Sequence, residues 1–238
     1  MTPEKRPSTP FNRDQIFQVL EYKKQVTILS PQHISLTLRK NVFIPDEGTF
    51  KLIEQSGKLI REHPTITVIA DIGTGSGVIG ITLAKQFPHK TVYAYDISTA
   101  ALKLAKLNAQ QNEVTNLSLF HNQRGEWIHK HSPSSIDLVI ANPPFTDNRE
   151  HASPTFAHNY PDYHLQPKQA IRTYDTYGTT PYKQIIRQAR RFQVPFFLFR
   201  CNPFSLDKVI KQISSEELTI TEIAAANEPY IFLFVRTK

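Results

Sequence analysis

The feature that most limits how this chain can fold is "VIADIGTGSGVIG", Val68 to Gly80. An apolar run reaches Asp71, and Gly73, Gly75 and Gly77 follow before an apolar helical pattern begins. Glycines spaced like this permit a tight turn and let a ligand approach bare backbone. A continuous apolar run such as "ITVIADI" (66–72) suits a strand buried on both faces, the usual state in a parallel sheet. The alternation then persists. "TVYAYDI" (91–97), "NLSLFH" (116–121), "SIDLVIA" (135–141) and "VPFFLFR" (194–200) read as strands. "GVIGITLAKQF", "STAALKLAKLNAQQN" (with Ser98 or Thr99 as N-cap), a segment around Tyr182–Phe192 and "LDKVIKQI" read as helices. "LTITEIAAA" and "YIFLFVRT" suit a closing antiparallel pair. Strands alternating with helices imply βαβ units. The expected fold is therefore α/β, with a mostly parallel seven-stranded sheet ending in a C-terminal antiparallel pair.

Ahead of this core, residues 1–10 carry three prolines and read as a loose tail. Asn12 to Lys24 suits a short helix, and "VTILS" and "ISLTLRKNVFI" two short strands. "DEGTFKLIEQSGKLIREH" reads as a helix closed by Pro64. The chain of 238 residues divides into 1–40, a tail with a short helix and strands, and a main domain at 41–238. One long loop, about residues 146–180, is rich in Pro, Tyr and His. Loops of that length in compact domains are usually functional or disordered.

Composition narrows the function classes. No apolar run reaches the length of a membrane span, and the basic start lacks the apolar segment of a secretory signal. A single cysteine, Cys201, excludes an internal disulfide and fits a buried small residue in a reducing, cytoplasmic setting. No Cys/His spacing suits a metal. The net charge of +7 favours an acidic partner, nucleic acid included, although Arg187, Arg190 and Arg191 read first as a solvated helix face. His151, His158 and His164 lie in the polar loop and are expected to face solvent.

A second motif carries chemistry. "IDLVI" runs into "ANPPFTDN", Ala141 to Asn148. Two prolines remove two backbone donors and fix two φ angles, so the strand must end there. The same stiffness would present the Asn142 side-chain oxygen and the Pro143 carbonyl to a planar nitrogen, with Phe145 over its flat face. The glycine turn alone is ambiguous, because "GSGVIG" (75–80) also satisfies the dinucleotide pattern G-x-G-x-x-G. Against that reading, the match starts partly inside the helix, and Asp71 would sit against a pyrophosphate. It would instead suit a cationic or amino-bearing ligand. Asp96 suits ribose hydroxyls in either case.

"VIADIGTGSGVIGITLA", "YAYDIS", "GEW" and "IDLVIANPPF" together resemble the core of S-adenosylmethionine-dependent methyltransferases. Within that class the order resembles the HemK/PrmC family, which methylates the glutamine of the GGQ motif in peptide-chain release factors. "NVFIPDEGTFKLIE" is similar to that family's V-x-I-P-R-x-E-T-E-x-L, and "QPKQAIRTYDTYG" to its E-P-x-x-A-L followed by Gly. The resemblance spans about residues 40–186 and implies a Rossmann-like class I methyltransferase fold with S-adenosylmethionine as cofactor. It implies that Asp71, Gly73, Thr74 and Gly75 surround the methionine part and that Gly77 supports the turn. Asp96 would take the ribose and Trp127 pack beside adenine, although a lone Trp ordinarily packs a core. Asn142 would serve both cofactor and clamp, with Pro143 and Phe145. A release factor is then an expected protein partner, with adenine in RNA or DNA, or a small molecule, as alternative acceptors.

Several positions depart from the family. Phe145 stands for its Tyr, Gln166 for its Glu, and "FLFRCNPFS" for its L-E-I-G segment. With about 40 residues ahead of the match, the family's helical N-terminal domain is expected to be mostly missing.

Overall fold

The computed structural model describes residues 13–22, 25–123, 126–128, 135–144, 166–171, 175, 178–201, 206–214, 218–225 and 231–237. In chain order the elements are α1 (Arg13–Tyr22), β1 (Val26–Leu29), β2 (Ser35–Leu38), α2 (Glu47–Glu62), β3 (Val68–Ile72), α3 (Val78–Gln86), β4 (Thr91–Asp96) and α4 (Thr99–Gln111). They continue with β5 (Leu117–His121), β6 (Leu138–Ala141), α5 (Lys168–Ile171), α6 (Thr180–Ala189), a 3₁₀ turn (Arg190–Phe192), β7 (Phe196–Cys201), α7 (Leu206–Ser214), β8 (Leu218–Ala225) and β9 (Ile231–Thr237).

The main sheet has seven strands in the order β5-β4-β3-β6-β7-β9-β8. β5, β4, β3, β6 and β7 are mutually parallel, and β9 runs antiparallel to both β7 and β8. Alternate residues of the central strands feed two separate cores, as strand geometry requires. Ile69, Leu138, Ile140 and Leu198 face a core shared with α2 and α3. Ala70, Ile72, Val139, Phe197 and Phe199 face one built with α6 and α7. The result is a three-layer α/β arrangement, as the alternation of strands and helices predicts.

Local chemistry sets the ends of the helices. Asp46 caps α2 in a capping box, its side chain accepting from the Thr49 amide while the Thr49 hydroxyl faces the Asp46 N–H. Ser98, one of the two expected residues, caps α4 by accepting from the Ala101 N–H. Such caps each stabilise by about 1 kcal/mol.

β1 and β2 form a separate antiparallel hairpin. Ile34, Leu36 and Leu38 from it belong to the same core as α2 and α3. The hairpin is held to α4 by paired amides. Asn108 accepts from Thr37 N–H (2.8 Å) and donates to Thr37 C=O (3.0 Å), and Asn112 treats Ser35 in the same way (2.9 and 2.6 Å).

One expectation needs correction. "ISLTLRKNVFI" does not run as a strand to Ile44, because β2 stops at Leu38. Val42 N–H turns back to Arg39 C=O (3.1 Å), and both backbone groups of Ile44 are taken by the side chain of Gln166 (2.9 and 3.0 Å). The backbone groups of Ile44 are thus met by a side chain rather than by a neighbouring strand.

Candidate functional site

The site is built where the sheet order turns. β3 pairs with β4 on one side and β6 on the other, so a crevice opens beyond their carboxyl ends. Ile72 is in register with both Tyr95 and Ala141, so the glycine turn, Asp96 and Asn142 leave the sheet side by side. Gly73 and Thr74 both donate their N–H to Tyr95 C=O (2.8 and 2.9 Å), which folds the turn across the end of β4.

The glycines sort into two kinds. A Cβ on Gly73 (φ +74°) would meet nothing within 4 Å, and one on Gly75 (φ +57°) would have its nearest neighbour at 3.9 Å. Gly73 faces open space, and at Gly75 a Cβ would reach no closer than ordinary contact. A Cβ on Gly77 (φ +85°) would lie 2.7 Å from Ile81 and 3.0 Å from Ala105, and one on Gly80 would press on Asp71 at 3.2 Å. These two serve packing. Gly77 is held between Ile81 of α3 and Ala105 of α4.

Asp71 is fully buried. Its Oδ2 accepts from the Thr74 hydroxyl (2.7 Å) and from Gly80 N–H (3.0 Å), at the start of α3. Its Oδ1 is buried with no hydrogen-bond partner among the described residues. Burial pushes its carboxyl up to about 6, against the two hydrogen bonds, and the nearby Asp96 adds to the rise. Asp96 is pushed up as well, chiefly by burial. Its Oδ2 accepts from Gly75 N–H (2.9 Å) and its Oδ1 from Ser98 N–H (2.8 Å). Two carboxyls crowded into one crevice favour a ligand that brings positive charge.

Trp127 is half-buried against the second core. Its indole N–H donates to Gln184 Oε1 (2.7 Å), and its backbone N–H to Gln188 Oε1 (2.6 Å), both from α6. It is thus partly a core residue and partly a fixed wall. Asn122 follows β5, donates to Trp127 C=O (2.7 Å), and keeps a buried Oδ1 without a partner among the described residues. Ile97, directly after Asp96, is 54% exposed, which is unusual for an apolar side chain in this fold. Motif reading missed both residues. The signal for Ile97 was an isoleucine one step past a strand end, which sequence alone gives no reason to single out.

Asn142 donates through Nδ2 to Thr49 Oγ1 (3.3 Å), and its Oδ1 is a third buried acceptor with no partner among the described residues. Pro143 is buried and Pro144 half-buried. Phe145, loop residues 146–165 and with them His151, His158 and His164 lie outside the described residues. Arg187, Arg190 and Arg191 are exposed, and Cys201 is buried with its thiol pushed up to about 12 by burial. No group of His, Cys, Asp or Glu among the described residues could hold a metal. None of their helices is long and apolar enough to cross a membrane.

Among the described residues, Asp71, Asn122 and Asn142 therefore keep buried acceptor oxygens without partners at the ends of three different strands. A ligand rich in N–H donors fits them. The family model for the methyltransferase small domain matches residues 40–160, a little over half of the chain. The chain belongs to the methyltransferase small domain family. S-adenosylmethionine is the methyl donor which that membership implies, and its ammonium and adenine amino groups are donors of the kind the orphaned oxygens require.

The release factor glutamine methyltransferase of Coxiella burnetii is 30% identical over 161 residues, covering 68% of this chain and 54% of that protein. The protein of the same name from Dictyoglomus turgidum is 36% identical over 112 residues, covering 47% of this chain and 39% of that one. The chain thus spans about half the length, or less, of these curated relatives. Among solved structures, the human METTL16 catalytic domain in complex with MAT2A 3′UTR hairpin 6 aligns with a TM-score of 0.66 at 17% identity, covering 86% of this chain and 75% of that one. The ribosomal protein L11 methylase of Lactobacillus delbrueckii subsp. bulgaricus aligns at 0.57 and 19% identity, covering 88% and 84%. At these identities the likeness is one of fold, a Rossmann-like methyltransferase fold.

Proposed function

We propose that the protein transfers a methyl group from S-adenosylmethionine to a planar amide nitrogen, the side chain of a protein glutamine. The observation that carries this is the buried Oδ1 of Asn142, which has no hydrogen-bond partner among the described residues while Nδ2 is held by Thr49. An amide nitrogen is a poor nucleophile because its lone pair is delocalised. Asn142 Oδ1 and the Pro143 carbonyl would accept its two N–H hydrogens and aim the nitrogen, so that position provides much of the catalysis. No base is required beforehand, since the new C–N bond would replace the donor's C–S bond, the bonding pair staying on sulfur, and the nitrogen's proton would pass to water as that bond forms. When bound, S-adenosylmethionine supplies an electrophilic methyl on a sulfonium sulfur. Asp71 Oδ1 would hold its ammonium, Gly73, Thr74 and Gly75 would line the methionine part, and Asp96 would take the ribose. Trp127 and Ile97 would flank the adenine, with Asn122 Oδ1 accepting from its amino group. Phe145 would cover the acceptor amide.

Relatives named release factor glutamine methyltransferases support the glutamine reading, and with it a release-factor partner. Residues 41–238 form the catalytic domain in this proposal, with 1–40 as an N-terminal extension. An exocyclic adenine amino group offers the same pair of donors on a planar nitrogen, and the net charge of +7 favours it as a second reading.

Radiolabelled S-adenosylmethionine incubated with the protein and a cell lysate separates these. Protease-sensitive label mapped to a GGQ glutamine is the expected result, whereas nuclease-sensitive label moves the assignment to adenine. No macromolecular label, with donor binding intact, would leave a small-molecule acceptor. Asn142→Ala should lower turnover roughly 100-fold or more while donor affinity stays within a few-fold.

A further inference from the structure

Asn142 can aim its oxygen at an acceptor only if its amide is not flipped, and the structure contains a device that decides this. Arg200, at the end of β7, is buried and forms a bidentate pair with Asp46, Nη1 to Oδ1 at 2.7 Å and Nη2 to Oδ2 at 2.8 Å. Such a fork requires the carboxylate form of Asp46, which is an acceptor only. The Thr49 hydroxyl donates its one hydrogen to Asp46 Oδ1 (2.8 Å). Towards Asn142 it therefore has only lone pairs to offer. A lone pair accepts from an NH₂ and repels an amide oxygen, so Nδ2 must face Thr49 at 3.3 Å and Oδ1 must point the other way. Asp46 and Thr49 are themselves buried, which keeps water from substituting for either.

We infer that Arg200, Asp46 and Thr49 are positioning residues that set the orientation of the Asn142 amide and so make it an acceptor clamp. This rests on the clamp reading above. None of the three touches the reacting atoms; each acts through the next. The chain of contacts joins β7, the N-cap of α2 and the turn after β6, segments far apart in sequence and adjacent at the crevice.

The test uses Thr49, because removing Asp46 would strand the buried Arg200 charge and endanger folding. The full chain is assayed with a purified peptide-chain release factor carrying its GGQ loop, and donor affinity is measured separately by calorimetry. Thr49→Val should lower kcat roughly 10- to 100-fold at unchanged donor affinity, and Thr49→Ser should return it to within a few-fold. In ¹⁵N-labelled protein, assigned by its loss in Asn142→Ala, the Asn142 side-chain NH₂ should exchange faster with water in Thr49→Val and normally in Thr49→Ser. Full activity and slow exchange in Thr49→Val, with Asn142→Ala inactive, would overturn the relay and leave the clamp standing. An equal loss in Thr49→Val and Thr49→Ser would also overturn it, since that marks a packing role. Activity retained in Asn142→Ala would remove the clamp and the relay together, while the exchange measurement still reports the hydrogen bond itself.

Discussion

Asp71 couples the folded state to pH more than its place in a turn would suggest. Its folded carboxyl is raised from 3.8 to about 6 by burial, so the folded protein holds this proton more tightly than the unfolded chain does. The stability it contributes is therefore fully present below pH 3.8 and is lost as pH rises through about 6, in all about 3 kcal/mol. A cationic ligand at Oδ1 reverses the preference, because it favours the carboxylate. Donor affinity should accordingly rise as pH increases from about 5 to 7 and then level off, with proton release on binding below pH 6. Calorimetry in buffers of different ionisation enthalpy measures both. Asp71→Asn should flatten the profile and weaken binding. The glycines allow a companion test by thermal melting and donor titration. Gly77→Ala must place a methyl 2.7 Å from Ile81 and should cost roughly 2–3 kcal/mol of stability. Gly73→Ala meets no protein atom, so beyond about 1 kcal/mol of backbone strain its loss should fall on donor affinity.

At the scale of elements, α4 stands in for a strand. Asn108 and Asn112 are four residues apart on one helical face, and each completes both backbone bonds of a β2 residue. Asn108 also donates to Ser76 C=O (2.8 Å), so the same side chain ties the hairpin to the glycine turn. Asn108→Ala would leave Thr37 N–H and C=O buried without partners and should cost roughly 3–5 kcal/mol in urea denaturation, with faster amide exchange at Thr37. The strands and helices themselves were legible, because buried parallel strands and amphipathic helices each leave a period in the sequence. The amide pairs were not. A helical asparagine gives the same signal whether it meets water or a buried edge, and Thr49 lies 93 residues from the Asn142 it orients. Gln166 shows the same limit. It reads as a departure from the family's Glu, yet its amide both accepts from and donates to Ile44, which an ionised Glu, an acceptor only, could not do. The Asp46–Arg200 pair adds a related point. Asp46 occupies the place of a basic residue in the family pattern and Arg200 lies in the segment replacing L-E-I-G, so two departures from the pattern meet in one buried ion pair.

The whole molecule settles what motifs left open about the ligand class. "GSGVIG" permits a dinucleotide as a pattern, but in the fold Gly77 packs against Ile81 and Gly80 against Asp71, and the room lies at Gly73 and beside Gly75. The order β5-β4-β3-β6 then puts two carboxyls and the Asn142 turn around that space, an arrangement that follows from pairing between distant segments and leaves no local trace in sequence. An acid-lined, acceptor-rich crevice should select a sulfonium with an ammonium group over a diphosphate. Ligand binding to the folded state alone stabilises it by about 2.7 kcal/mol at a hundred times Kd. For a domain of this size that is a rise in Tm of about 5–10 °C. S-adenosylmethionine should therefore raise Tm, and at pH 7.5 more than at pH 5.5, because Asp71 must be ionised to hold the ammonium. The demethylated product, S-adenosylhomocysteine, keeps the ammonium, adenine and ribose and should give a similar rise. NAD should give none, since its pyrophosphate would lie against Asp71 and Asp96. An equal shift with NAD, insensitive to Asp71→Asn, would mean that the carboxyls do not face the ligand, and the donor orientation argued from Oδ1 would have to be abandoned.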